Sequence, residues 1–335
     1  MRKVIPLLLI IFTLLLGACG GDGTPSASQT ALQEDPSPQG RILTANQAAN
    51  TITIIDVAAG RPIAAVGTGA QPHHVLGTPD AKEFWVTLYG ETRLQVFDST
   101  TLKEIASVDV GEANDDLAFS PDGKRLYVSL GKSNAVAVVD VEARKLLNTV
   151  PVGKTPHGVR VTPDGTYLLV TNTADNTLSV LSLQPEAKVE ADIKTGANPF
   201  EVVTSADGQT AYVSNFLGDS ISIIDLATRK TTGYIRSGKQ PAMIALEGSG
   251  DTGKLWVANT GSGEVWLLDA TTKALVTRIP AGRGAHGTAV TPAGKLYVTN
   301  TNDNTVTVID TTTQKVLSTV PVGNGPNGLI FLPSR

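Results

Sequence analysis

At 335 residues, with 41% hydrophobic and 17% charged side chains, the chain can bury one large all-β core or two ordinary domains, and its composition is not that of a disordered chain. The formal charge is −4, and 25 basic against 31 acidic residues remain once Arg2 and Lys3 are set aside. No Lys/Arg cluster marks a basic face, so no nucleic-acid partner is expected.

The chain begins as an export leader does. Arg2 and Lys3 precede an almost wholly apolar run from Ile5 to Leu16. That run is shorter than the ~20 residues a transmembrane helix needs and suits the apolar region of a signal peptide. It closes in Leu16-Gly17-Ala18-Cys19, which resembles the lipobox of bacterial lipoproteins. The resemblance implies cleavage after residue 18 and a membrane partner reached through lipid on Cys19; a plain signal peptide with a chance cysteine is the alternative. Gly20 rather than Asp behind the cysteine points to the outer membrane, facing the periplasm or the cell surface. In a Gram-positive host the site would be the exterior of the plasma membrane. Cys19 is the only cysteine, which excludes a disulfide, a thiolate metal ligand and c-type haem attachment in the folded part. Residues 19–40 then read as a lipidated cysteine and a Gly/Ser/Pro-rich tether, and residues 41–335 as the folded domain.

Within that domain one phrase recurs: an alternating strand, an Asp, a turn and often a Lys. It ends at Asp56, Asp98, Asp140, Ser182, Asp225, Asp269 and Asp310, at spacings of 42, 42, 42, 43, 44 and 41 residues. A period near 42 with four short strands per unit predicts a β-propeller blade. The recurring Asp suits an Asx turn, a structural duty rather than a catalytic one. Six complete units leave two fragments: residues 41–69 lack an inner strand, and residues 324–333 supply one. Joined, they predict a composite blade that closes a seven-bladed, all-β ring and removes the exposed edges of an open array.

The strings LYVTN (296–300), LLVTN (168–172) and AYVSN (211–215), with DNT at 175–177 and 303–305, resemble the YVTN-repeat, YncE-like β-propeller family. The resemblance covers residues 41–335 and implies the fold and an exported protein; a monomer is expected. It does not imply one activity, since relatives of the wider architecture carry haem, quinone-enzyme or copper-cluster chemistry.

Departures from the chain's own repeat are the remaining signal. At the position after the residue, Pro in five of the seven units, that leads into each inner strand, the units read His73, Asp115, His157, Phe200, Ala242, His286 and Asn327. The next position reads His74, Asp116, Gly158, Glu201, Met243, Gly287 and Gly328. All four histidines of the chain fall in this register, on blades two, four and seven, counting the composite blade as the first. With blades about 51° apart, three imidazoles would approach the axis from well-separated directions. Where five units carry Asn after the second strand, blade two is read as Tyr89 and blade three as Gly131. These loops share one face of the ring, the usual ligand face of the architecture.

His73, His74, Asp115, Asp116, His157, His286, Glu201 and Tyr89 are therefore the candidate ligand-binding residues, with His73, His157 and His286 as candidate ligands of Cu, Zn or Fe. Binding of a small ligand or an envelope protein at this face is one reading. A metal-dependent oxidoreductase or lyase, with Tyr89, Asp116 or Glu201 as acid or base, is the other. A Pro-His-Gly loop that merely suits the repeat is the third. Copper-cluster reduction needs more histidines than this chain has. No G-x-S-x-G, Walker or H-E-x-x-H motif is present. Trp85, Trp256 and Trp266 read as blade packing, and Arg160, Arg236 and Arg283 do not cluster in sequence.

Overall fold

The computed structural model describes residues 39–247 and 253–334. The leader, Cys19 and most of the tether lie outside the described residues. Short alternating runs separated by tight turns give 28 strands, arranged as seven four-stranded antiparallel sheets. This is the seven-bladed propeller the repeat predicts. Blade 1 is composite: the C-terminal strand Pro326–Leu332 is innermost, followed by Arg41–Asn46, Thr51–Asp56 and Arg61–Gly67. Its closing register runs from Arg41 opposite Leu332 to Asn46 opposite Pro326. Blades 2 to 7 follow in chain order, with inner strands Pro72–Gly77, Asn114–Phe119, Pro156–Val161, Pro199–Thr204, Pro241–Leu246 and Ala285–Val290.

The second and third strands of each blade are buried on both faces, which is why they read as nearly continuous apolar runs. Their side chains form seven clusters, one at each blade–blade contact. Leu43, Ile52 and Ile54 of blade 1 meet Val75, Phe84 and Val86 of blade 2. On the other side, Ile42 and Ile55 of blade 1 meet Tyr297, Val306 and Val308 of blade 7. The ring thus has a circular core rather than a central one, and the axis is left for a channel. Trp85, Trp256 and Trp266 are buried in these clusters, as packing residues should be.

The repeated polar residues hold the blades in shape. Asp56, Asp98, Asp140, Asp225, Asp269 and Asp310 each accept the N–H three residues on, at 2.6–2.9 Å. Asn46, Asn172, Asn215 and Asn300 each donate to two hydroxyls of the neighbouring third strand. Here the strand pairing corrects one expectation. Pro72 pairs with Leu88 and Asn114 with Leu130, as Pro156 pairs with Asn172. Leu88 and Leu130 therefore occupy the Asn register in blades 2 and 3, and Tyr89 and Gly131 lie one position later. Asn114, standing where most units have Pro, takes over the polar work. Its Oδ1 accepts the Leu88 N–H, and its Nδ2 donates to the carbonyls of Glu91 and Gly111 at 2.9 and 3.2 Å.

Candidate functional site

Every inner strand shifts register against its second strand between its first and fourth residues. A bulge of this kind leaves backbone groups without a ladder partner and re-aims side chains. The bulged pairs are the two positions that gather the histidines. The Thr or Ser of the VTN and VSN strings repairs the damage. Thr171 Oγ1 accepts the Gly158 N–H and donates to the Phe200 carbonyl of the next blade, both at 2.8 Å. Thr87 does the same between His74 and Asp115. Blade-to-blade contact at the bulge is tight: a Cβ on Gly287 would lie 2.4 Å from the Asn327 carbonyl oxygen, and one on Gly158 would lie 2.6 Å from that of Phe200. The glycines after the histidines are thus required by packing.

The first bulged layer forms an imidazole-rich mouth. His73 Nδ1 lies 3.1 Å from the Asp115 carbonyl and His157 Nδ1 lies 3.1 Å from the Phe200 carbonyl, each in the following blade. A nitrogen facing a carbonyl must carry the proton, so Nε2 keeps the lone pair in both rings. His73, Asp115 and His157 offer ligand atoms that all lie within 4.8 Å of one another. His286 is not part of that set. Its Nδ1 is buried without a partner and its ring stands edge-on to Phe200, 5.5 Å between centroids. Phe200 also lies against His157 at 3.8 Å, and Tyr89, exposed on the rim, faces His73 at 5.9 Å. Burial lowers the pKa of His73 to about 4 and those of His157 and His286 to about 3, with repulsion from neighbouring imidazoles adding to it. All three are neutral at pH 7, the form that binds metal. Burial and the charge of Asp116 push Asp115 up to about 8. A divalent ion beside it would supply the opposing charge.

The second layer is charged and closed. His74 Nδ1 and Asp116 Oδ1 form a buried ion pair. Burial alone would lower His74, but the charge and hydrogen bond of Asp116 outweigh it and raise it. Burial would likewise raise Asp116, yet His74 and the Val159 N–H hold it low. Glu201 is buried, its Oε2 has no partner, and burial together with the Asp116 charge pushes it up to about 8. Between the two layers the free space is about 10 Å³, room for about one water.

Beyond this constriction the channel widens into a cavity of about 580 Å³. It runs from His74, Asp116 and Glu201 to the far strand ends at Val161, Leu246, Val290 and Phe331. Arg160 lines that cavity, a residue the sequence reading set aside. The missed signal lies in the repeat itself: the same register in the other units is Leu76, Ala118, Val203, Ala245, Ala289 and Ile330. Arg283 and Lys239, by contrast, are paired at the surface with Asp303 and Asp219.

A family model described as YNCE-like beta-propeller matches residues 2–334. No curated protein matches the chain. Among solved structures, a functionally unknown protein from Desulfotomaculum acetoxidans superposes with a TM-score of 0.77 at 16% identity, covering 88% of this chain and 100% of its own. The periplasmic gluconolactonase of Pseudomonas aeruginosa gives 0.74 at 21% identity, covering 88% and 99%. Kuenenia stuttgartiensis hydrazine synthase gives 0.72 at 20% identity, covering 78% and 90%. These likenesses establish the fold alone.

Proposed function

The chain belongs to the YNCE-like β-propeller family, and on that premise we propose that it is an exported, lipid-anchored binding module whose channel mouth holds a divalent transition metal through His73, His157 and Asp115. One observation carries the reading: the ligand atoms of these three residues gather within 4.8 Å. The backbone carbonyls that fix the Nδ1 protons of His73 and His157 support it, because such second-sphere bonds orient imidazoles for metal. Two imidazoles and a carboxylate suit Zn, Cu, Ni or Fe. Three protein ligands leave coordination positions towards the mouth, where Tyr89 and Phe200 would flank a small ligand or an envelope-protein side chain. Lipid on Cys19 would tether the ring to the membrane it serves.

The test is the metal content of the purified protein after exposure to each of these four ions. We expect one ion per chain, lost in His73→Ala and His157→Ala and kept in His286→Ala. Absence of stoichiometric metal with all four ions overturns the reading, as does loss in H286A alone.

A further inference from the structure

The wide half of the channel lies on the opposite side of the constriction from the imidazole mouth, and its wall is built differently. Seven residues in one register, one per blade, line it: Leu76, Ala118, Val203, Ala245, Ala289, Ile330 and, alone among them in carrying charge, Arg160. An arginine in a ring of apolar side chains keeps its stem along the wall and presents its charged head to whatever enters the channel. Among the described residues no group pairs with that head at full strength. Arg160 Nε reaches the Val202 carbonyl at 3.3 Å. Its Nη2 stands 3.5 Å from Glu201 Oε1, longer than the ~2.8 Å of a charge-assisted hydrogen bond. Its side chain remains 45% exposed, to the channel. Beside it, Glu201 lines the same cavity, with its Oε2 buried and without a partner among the described residues. Asp116, the other acid lining the cavity, is committed to His74.

We propose that this funnel is a second binding site, for a small amphipathic monocarboxylate whose head meets Arg160 and whose apolar tail lies along the channel towards Leu246, Val290 and Phe331. The guanidinium fork matches a carboxylate with two parallel N–H donors. A cavity of about 580 Å³ lies within the range of small-molecule sites. The site is independent of metal at the mouth, since the constriction separates the two.

Calorimetric titration with butanoate, octanoate, dodecanoate and phenylacetate, beside octanol and octylammonium, tests the proposal on the purified protein. At least one carboxylate should bind saturably, and its alcohol and ammonium counterparts should bind far more weakly. R160M should weaken that carboxylate about ten- to a hundredfold, the weight of a hydrogen bond to a charged group, and R160K should recover part of it. A289W, which puts an indole into the funnel, should abolish binding and leave metal content at the mouth unchanged. Saturable binding of none of the four carboxylates, equal binding of octanol, tighter binding of octylammonium, or an R160M protein that folds and binds as the parent does would each overturn it.

Discussion

Thr171→Val and Thr44→Val make the same chemical change at adjacent register positions, and the structure assigns them opposite signs. Both threonines are buried. Thr171 Oγ1 accepts from Gly158 N–H and donates to the Phe200 carbonyl, so its loss orphans a buried N–H in the bulge. The carbonyl keeps the His157 Nδ1–H. An orphaned buried donor costs about 1–3 kcal/mol and the second lost bond about 1, so T171V should destabilise by about 2–4 kcal/mol. Thr44 Oγ1 has no partner among the described residues. The other six units place Val in its register, at positions 86, 128, 170, 213, 257 and 298. Removing an unsatisfied buried hydroxyl should stabilise by about 1 kcal/mol or more. Equilibrium urea unfolding reads both as shifts of the midpoint at unchanged slope. Two shifts of the same sign, or a neutral T171V, would refute the view that this hydroxyl stitches the bulge to the next blade.

Deleting residues 326–335 removes the inner strand of blade 1, with buried Leu329 and Leu332, and opens its contacts with blades 7 and 2. The truncated protein should lose its cooperative unfolding transition, and an unchanged melting temperature would show that the ring does not need closing. Gly287→Ala places a methyl 2.4 Å from the Asn327 carbonyl oxygen and should lower stability by about 1–3 kcal/mol in a thermal melt; a neutral result would mean the inner strands can part. Glu201 binds a proton more tightly folded than unfolded, with its pKa raised from 4.5 to about 8. Its contribution is therefore full below pH 4.5 and is lost as pH rises through about 8. Relative to the parent, E201Q should gain stability steadily across that window, read from unfolding midpoints at several pH values. A constant difference would place the burden elsewhere.

Much of the fold was open to reading because a repeat is a comparison the chain makes with itself. The Asp spacing marked the blades, the two unmatched ends marked the composite blade, and the inner-strand register placed three histidines at one level with His74 one position further on. Residues that do the same job in each blade, such as the turn-capping Asp and the clamping Asn, could be told from those that do not. Tyr89 and Gly131 fall one position past the Asn register, because pairing across the sheet, which loop sequence does not carry, puts Leu88 and Leu130 there.

Distances across the ring follow another logic. Residues 42 or more positions apart meet there, and local pattern does not carry their separation. His73 and His157 share one hydrogen-bonding arrangement, while His286, at the same position of its repeat, lacks it. Asp115 replaces it in the converging set. Arg160 stood as a scattered cation until the inner strands were wound round an axis and six apolar partners appeared beside it. Sequence alone determined the ring and its closure, because strand period and turn chemistry are local. Which side chains converge, which stay neutral and on which side of the constriction a ligand has room were decided only by the tertiary structure, because burial and through-space charge depend on neighbours that the chain brings together by folding.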